Sequence, residues 1–258
     1  MIRLALAGAT GRTGRHVFEA ACRDDRFEVV SALTRPGCPT LGTHLRVADR
    51  ELTVTATLDA PCDVLIDFTV ADGTMAWLKE CEARGLPVVI GATGHTDQQL
   101  ARIKETARAI PILKASNFSV GIQSIMNIVG RVASELGDGY DIEIVESHHR
   151  WKVDAPSGTA LALVDRIAEA TGGDRTRDAV FGRHGTVGER PAGQIGIHAV
   201  RMGEVAGSHE IHFSGPGETV TIRHTAHSRA TFAAGALRAA AWIVNRQPGF
   251  YTLRDALS

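Results

Sequence analysis

The segment from Glu146 to Ala160 (ESHHRWKVDAPSGTA) concentrates side chains that can move protons and hold anions. His148 and His149 carry imidazoles, which titrate near neutral pH, and Lys152 adds a positive charge. Ser157 stands where a helix N-cap is expected, before a run of alanine and leucine. The free N–H groups of a first helical turn attract carboxylate or phosphate. A capped helix after a polar loop could be purely structural, but the histidines and the lysine favour a site for an anionic ligand.

A second candidate site lies at the start of the chain, where a strand, a glycine turn and a helix follow one another. Residues 2–7 form an apolar run of strand length, and residues 15–21 favour a helix. The turn between them consists of Gly8, Ala9, Thr10, Gly11, Arg12, Thr13 and Gly14. Its glycines let the backbone approach a pyrophosphate, which then lies at the helix N-terminus. The spacing G-x-x-G-x-x-G is not the commonest fingerprint, and a plain turn is the alternative, but the context favours dinucleotide binding.

The residue after the second strand decides which dinucleotide is expected. The predicted strand at 27–33 ends at Thr34-Arg35, where NAD-binding folds carry an acid for the ribose 2′-hydroxyl. Arg35, together with Arg12, could instead bind a 2′-phosphate. We therefore predict NADPH as the coenzyme, with NADH possible. The alternative is that Arg35 is a solvated turn residue.

Strands and helices continue to alternate up to residue 119. Strands are predicted at 64–68, 87–90 and 112–115, with helices at about 74–83 and 97–109. This order predicts an α/β fold with a Rossmann-like, doubly wound parallel sheet. Thr69 and the loop Gly91-Ala92-Thr93-Gly94 follow two of these strands, and ligands of such sheets bind outside the carboxyl ends of strands. Both loops should therefore face the nicotinamide.

The rest of the chain predicts a separate α+β domain with a mixed or antiparallel sheet. A helix at 120–136 precedes a strand at 140–146, and a long loop is expected over 172–194. Alternating runs at 195–200, 209–213 and 219–224 complete four strands, the last two joined by a hairpin at Gly215-Pro216-Gly217. A helix at 230–243 should pack back on the first domain. The predicted domains are residues 1–119 with 229–258, which bind the dinucleotide, and residues 120–228.

Composition and charge exclude several classes of partner. The net charge of −1 gives no field that would recruit nucleic acid or an anionic membrane. The four cysteines form no C-x-x-C pair, and no apolar run reaches the length of a membrane span, so we expect a cytoplasmic protein with reduced thiols. The histidines do not favour a metal site, because His209 and His212 should point to opposite faces of a strand. Most histidines of the second half are interpreted as polar strand and loop residues.

The whole chain resembles the 4-hydroxy-tetrahydrodipicolinate reductase family, formerly called dihydrodipicolinate reductases, of diaminopimelate and lysine biosynthesis. The resemblance rests on the residues at 8–14, 67–69, 91–94, 117–121, 148–160 and 228–233, and the block at 148–160 is the most specific. It implies NAD(P)H-dependent hydride transfer to C4 of a cyclic 4-hydroxy dicarboxylate, with loss of water, to give tetrahydrodipicolinate. It also implies a homotetramer assembled through the sheet of the second domain.

The resemblance further implies a role for each candidate residue. His148 corresponds to the proton donor of the family, and Lys152 to its catalytic partner, which binds a carboxylate. His149, Ser157, Gly158 and Thr159 correspond to the substrate-carboxylate site. The implied coenzyme residues beyond the glycine turn and Arg35 are Phe68, Thr69, Gly91, Ala92, Thr93, Ser116, Asn117, Phe118, Arg229 and Phe232.

Three positions depart from the family pattern: Thr34 replaces an acid that many members carry, Gln123 replaces an asparagine, and Met202 replaces a small residue. Two other functions remain open from the residues alone. One is a two-domain NAD(P)-linked dehydrogenase of amino or hydroxy acids, for which the cluster around His148 has no evident purpose. The other is a non-catalytic dinucleotide sensor, which would usually bring a basic recognition helix that this sequence lacks.

Overall fold

The chain folds into two compact units, one formed by Met1–Val120 with Arg229–Ser258 and the other by Gly121–Ser228. The structure is a computed structural model and describes residues 1–257. The strands are β1 (Ile2–Ala7), β2 (Phe27–Leu33), β3 (His44–Val47), β4 (Arg50–Thr55), β5 (Val64–Asp67), β6 (Val88–Ile90), β7 (Pro111–Lys114), β8 (Asp141–His148), β9 (Ala179–Phe181), β10 (Ile195–Arg201), β11 (Gly207–Gly215), β12 (Glu218–Ala226) and β13 (Gly249–Tyr251). The helices are α1 (Arg12–Cys22), α2 (Ala71–Arg84), α3 (Asp97–Thr106), α4 (Val120–Leu136), α5 (Gly158–Ala170), α6 (Arg175–Asp178) and α7 (Ala230–Ile243).

The first unit is built on an eight-stranded sheet in the order β13-β7-β6-β5-β1-β2-β4-β3. All its pairings are parallel except the β3–β4 hairpin. Successive residues of a strand point to opposite faces, so Leu4 and Leu6 join a core with α1 and α7, while Ala5 and Ala7 join a core with α2 and α3. Helices therefore cover both faces, which confirms the doubly wound α/β prediction.

The second unit contains a mixed five-stranded sheet in the order β12-β11-β8-β10-β9. β11 is antiparallel to both β8 and β12, while β10 is parallel to β8 and β9. Ile144 and Ile211 are register partners on one face, and they pack in a core with Val129 of α4 and Leu163 of α5. The same face of β8 continues to Glu146 and His148, because alternate residues of a strand share a face.

The sequence prediction of this unit needs one correction. The segment 172–194 is not a continuous loop, because it contains α6 and β9, and β9 makes the sheet five-stranded instead of four-stranded. β9 has three residues, too few to show a periodic pattern, and it exists through its pairing with β10. The predicted hairpin is confirmed, since Gly215 pairs with Glu218 across a two-residue turn.

Among residues 1–257, no helix combines the length and the apolar character that crossing a membrane requires. The same residues contain no group of three or more histidine, cysteine, aspartate or glutamate side chains placed to hold a metal ion.

Candidate active site

The start of α5 is fixed to the second sheet through Ser157. Ser157 is the N-cap of the helix, and its Oγ accepts a hydrogen bond of 3.1 Å from the backbone N–H of Ala160. Its own backbone N–H donates to Oε1 of Glu146 on β8 at 3.0 Å. Gly158 and Thr159 form the first turn of the helix, as predicted. The first turn of α5 thus has a defined position relative to the end of β8.

Glu146 is the centre of the hydrogen-bond network at this end of the sheet. Its side chain is 0% exposed, and it accepts from His148 Nδ1 at 2.5 Å and from Arg201 Nη1 and Nη2 at 2.9 and 2.7 Å. Burial alone would raise the pKa of this carboxyl, but the hydrogen bonds from His148 and Arg201 outweigh it and lower the pKa to about 2. The carboxylate is therefore ionised at neutral pH, and it can only accept hydrogen bonds.

His148 follows Glu146 by two residues on β8, so both side chains lie on one face of the strand. Because the carboxylate only accepts, Nδ1 of His148 carries a hydrogen, and Nε2 is the ring nitrogen left for a ligand. A Cβ atom placed on Gly207 would lie 3.1 Å from Nε2, so the glycine keeps the approach to this nitrogen open. The side chain of His148 is 12% exposed, which leaves it accessible to a bound molecule.

His209 packs beside His148 under the site. The two rings meet edge to face with centroids 5.3 Å apart, and His209 Nε2 lies 3.0 Å from Ser157 Oγ. Burial, and then the charge of the neighbouring His148, lower the pKa of His209 to about 3, so this ring is neutral at physiological pH. His209 is 2% exposed, and its contacts place it in the cluster with His148 and Ser157, which the general interpretation of the histidines did not single out.

Lys152 lies in the loop that connects β8 to α5. Its Nζ donates to both carboxylate oxygens of Asp154, at 2.8 and 2.9 Å. The side chain of Asp154 is 56% exposed, and exposed ion pairs contribute little stability. Lys152 can therefore exchange this carboxylate for that of a ligand at small cost. His149, from the same loop, lies beside the exposed Trp151, with ring centroids 5.8 Å apart.

Three members of this site were missed by the sequence analysis: Glu146, Arg201 and His209. The spacing of Glu146 and His148 could have revealed the first, because residues two apart on a strand share a face. Arg201 and His209 come from β10 and β11, and they reach the site only through the register in which these strands pair with β8. The sequence contains no local signal for that register.

The glycine turn of the first unit forms a backbone-lined cradle at the start of α1. A Cβ on Gly8 would lie 2.7 Å from the carbonyl oxygen of Phe68, and a Cβ on Gly14 would collide with the carbonyl oxygen of Gly8. Gly11 is the N-cap of α1, and it supplies no side-chain cap to the helix N-terminus. These positions exclude larger residues, which fits a backbone that closely approaches an anionic group.

The carboxyl ends of β5, β6 and β7 gather the predicted nicotinamide residues. The rings of Phe68 and Phe118 meet edge to face at 5.6 Å, and a Cβ on Gly91 would overlap the Phe68 ring. The hydroxyl of Thr69 donates to the buried carboxylate of Asp67 at 2.5 Å, which fixes this turn. The other predicted residues of these loops are the buried Ala92, the exposed Thr93 and Ser116, and Asn117, whose Oδ1 accepts from Ser119 N at 2.8 Å.

The remaining predicted coenzyme residues are spread over the first unit. Burial, and then the charge of Arg12, lower the pKa of Arg229, so these two arginines repel each other. Arg35 is exposed and lines a cavity of about 430 Å³ together with Trp77. The others are Thr10, whose hydroxyl lies 3.2 Å from that of Thr40, Thr13 in the first turn of α1, and Phe232, which packs against the first core.

Comparison with known proteins identifies the family. Residues 2–118 match the family model "Dihydrodipicolinate reductase, N-terminus", and residues 121–257 match "Dihydrodipicolinate reductase, C-terminus". The 4-hydroxy-tetrahydrodipicolinate reductase of Thiobacillus denitrificans is 46% identical over 262 residues, which cover 99% of this chain and 98% of the relative. The enzyme of the same name from Myxococcus xanthus is 43% identical over 267 residues, with 100% and 98% covered.

A solved structure with a similar fold is also a dihydrodipicolinate reductase. The dipicolinate-bound dihydrodipicolinate reductase of Paenisporosarcina sp. TG-14 superposes with a TM-score of 0.76 at 24% identity, and 99% of each chain is covered. These findings confirm the resemblance stated from the sequence, and they favour the reductase over the dehydrogenase and sensor alternatives. The chain therefore belongs to the dihydrodipicolinate reductase family, the 4-hydroxy-tetrahydrodipicolinate reductases of lysine and diaminopimelate biosynthesis.

Proposed function

We propose that this chain performs the reductase reaction with His148 as the proton donor and Lys152 as its cationic partner. The observation that carries this proposal is the pairing of His148 Nδ1 with the ionised Glu146, which leaves Nε2 as the nitrogen that faces a ligand. An imidazole is suited to proton transfer near neutral pH. The relative from Paenisporosarcina was solved with dipicolinate, so a ring dicarboxylate of this kind is the proposed ligand.

The proposed substrate site holds the two carboxylates with groups of different kinds. Lys152 exchanges Asp154 for one carboxylate and supplies a full positive charge. The hydroxyl of Ser157, the first-turn groups of Gly158 and Thr159, and His149 hold the other, at the positive end of the α5 dipole. When bound, NAD(P)H supplies the hydride that reduces C4 of the substrate, with loss of water. His148 delivers a proton from Nε2, and Lys152 stabilises the negative charge that develops in the transition state.

The experiment that tests this assignment is the replacement His148→Gln. Oxidation of NADPH is followed with substrate generated in the cuvette from pyruvate and aspartate semialdehyde by the preceding synthase. The variant should lose about two to four orders of magnitude in kcat and keep the Kd for NADPH. His212→Gln is the matched control, since His212 lies on the opposite face of β11 beside Thr221. Unchanged kcat in His148→Gln would remove His148 from the mechanism.

We infer that the first unit binds the dinucleotide and prefers NADPH. The cradle at Gly8, Gly11 and Gly14 suits a pyrophosphate, and an anion near Arg12 and Arg229 would relieve the repulsion between them. The residues at 10, 13, 68, 69, 91–93, 116–118 and 232 complete the proposed coenzyme site. Arg35 lines the cavity next to the end of β2, where the 2′-phosphate of NADPH would bind.

The coenzyme preference is tested by Arg35→Ala. A charge-assisted contact contributes about 1.5–3 kcal/mol, so the KM for NADPH should rise about 10- to 150-fold while the KM for NADH stays the same. Arg108→Ala, a change of another exposed arginine of the first unit, is the control. An equal rise for both coenzymes would show that Arg35 does not read the 2′-phosphate.

We also infer a cytoplasmic homotetramer assembled through the sheet of the second unit. One face of this sheet is covered by α4 and α5. The side chains of Val145, Ser147 and Val200 belong to the other face, where Val200 is 36% exposed. Light scattering should give about 110 kDa, four times the 27.5 kDa chain. A single species of one chain mass would refute the assembly.

A further inference from the structure

Glu146 is the most completely engaged carboxylate of the second unit. A carboxylate offers about four acceptor positions. In Glu146 these are met by Nδ1 of His148, by Nη1 and Nη2 of Arg201, and by the backbone N–H of Ser157. The side chain is fully buried, and its four hydrogen bonds fix the orientation of the carboxylate.

We propose that Glu146 is a positioning residue for the reduction, which fixes the Nδ1–H tautomer of His148 and balances the charge of its imidazolium form. This inference rests on the proposed role of His148 as the proton donor. Before the transfer His148 carries hydrogens on both nitrogens. After it Nε2 has no hydrogen, while the hydrogen on Nδ1 remains there and is donated to Glu146. Glu146 therefore touches neither substrate nor coenzyme, and it acts only through His148.

Arg201 keeps the negative charge on Glu146. Its two Nη groups hold both oxygens of Glu146, so the carboxylate keeps its charge and the proton resides on the imidazole. The titratable and charged groups around His148 come from all the packed elements: Glu146 on its own strand, Arg201 on β10, His209 on β11, and Lys152 and Asp154 in the loop before α5. Glu146 is the one among them that directly accepts a hydrogen bond from the His148 ring.

The same strand supplies an internal comparison in Glu143. Glu143 also has its pKa lowered to about 2: burial acts against this, and hydrogen bonds from Arg183, His198 and Arg190 outweigh it. An odd spacing along β8 places Glu143 on the face opposite to Glu146 and His148. Glu143→Gln therefore removes a half-buried carboxylate with a similarly lowered pKa from the same strand without touching the site.

The test is the pH dependence of kcat in Glu146→Gln, with Glu143→Gln as the control. An opposite charge at this distance shifts a titration by about 1–3 units. The alkaline limb of the kcat profile should therefore move down by about 1–3 pH units in Glu146→Gln, with a loss of about 10- to 1,000-fold above the limb. The loss should shrink at low pH, and the Kd for NADPH should be unchanged. The profile of Glu143→Gln should match that of the wild type.

An alkaline limb that stays in place in Glu146→Gln would overturn the inference. If His148→Gln is inactive while Glu146→Gln keeps its limb, only this inference fails; if His148→Gln is active, the proposed function fails with it. Should Glu146→Gln not fold, proton NMR of the ¹⁵N-histidine-labelled wild type decides the question. A strongly downfield Nδ1–H signal, assigned by its loss in His148→Gln and present on both sides of the limb, is the expected result. Its disappearance above the limb would refute the proposed tautomer.

Discussion

Replacing Arg201 with methionine should destabilise the second unit at neutral pH and somewhat less at acid pH. The guanidinium makes four hydrogen bonds: two to the carboxylate of Glu146, one to the carbonyl oxygen of Asp154 and one to that of Val200, all between 2.7 and 2.9 Å. Methionine keeps most of the aliphatic stem. It leaves the buried carboxylate with His148 and the backbone N–H of Ser157 as its remaining donors.

The size of the effect follows from the pKa of Glu146. Hydrogen bonds, against the opposing effect of burial, lower this pKa from an ordinary 4.5 to about 2. A depression of that size corresponds to about 3 kcal/mol in favour of the folded, ionised state. The hydrogen bond from His148 is the largest favourable contribution and that from Arg201 the next, so about 1–1.5 kcal/mol is assigned to Arg201. Each of the two carbonyl oxygens that lose their donor adds about 1 kcal/mol. The expected loss at pH 7 is about 3–4 kcal/mol, in the range for breaking a buried ion pair.

The pH dependence has a definite sign. Because the folded pKa of Glu146 is depressed, its contribution to stability is present above about pH 4.5 and is lost as the pH falls towards 2. In Arg201→Met only His148 and the backbone N–H of Ser157 still hold the pKa down, so the pKa rises and the variant loses less stability on acidification. The difference between wild type and variant should narrow by about 1 kcal/mol between pH 7 and pH 2, most of it below pH 3.5.

Urea unfolding followed by circular dichroism at pH 7, 3.5 and 2 measures both quantities. Arg223→Met is the matched control, because Arg223 pairs with Glu210 at 62% exposure and such pairs contribute at most about 1 kcal/mol. A loss in Arg201→Met no larger than in this control would refute the estimate for the buried pair. A difference that stays constant or widens at acid pH would refute the assignment of the depressed pKa to Arg201.

Three further changes have expected outcomes. Lys152→Ala should lower kcat and raise the substrate KM together, in steady-state assays at saturating NADPH, whereas a change in neither would remove the lysine from the site. Gly207→Ala places a Cβ 3.1 Å from His148 Nε2 at a φ of +159°, so kcat should fall, and the strained backbone should also lower the urea midpoint; normal turnover would show that Nε2 is approached from elsewhere. Gly235→Ala drives a Cβ into the carbonyl oxygen of Phe118, so we expect a loss of about 1–3 kcal/mol in urea unfolding, and an unchanged midpoint would contradict the packing of α7.

The parts of the fold that could be predicted from the sequence are those with a strong local period. Strand and helix alternation in the first half predicted the parallel sheet, and an apolar run of strand length followed by glycines located the cradle at Gly8. Several short strands were not predicted, because pairing with neighbouring strands, and not their own sequence, stabilises them. The edge strands β3, β9 and β13 each pair with one neighbour, and β4, next to the edge, pairs with β2 and β3; these pairings define the short strands.

The residues of the site also divide into those that local sequence predicts and those that depend on strand pairing. Ser157 could be predicted as an N-cap because capping is a local property of the chain. His209 and His212 were correctly predicted to point to opposite faces of β11, since they pair with His224 and Thr221, but the role of His209 was not. That role depends on which residue of β8 lies opposite, and this is settled by tertiary packing.

Strand register is therefore part of the proposed chemistry as well as of the fold. Arg201 lies opposite His148 in the parallel pair β10–β8, and His209 lies opposite Glu146 in the antiparallel pair β11–β8. A slip of β10 by one residue would turn Arg201 to the other face and bring Val200 or Met202 towards the carboxylate. Glu146 would then be buried without its bidentate partner, at a cost of several kcal/mol. The ion pair that holds Glu146 in its proposed role thus also favours the register that assembles the site.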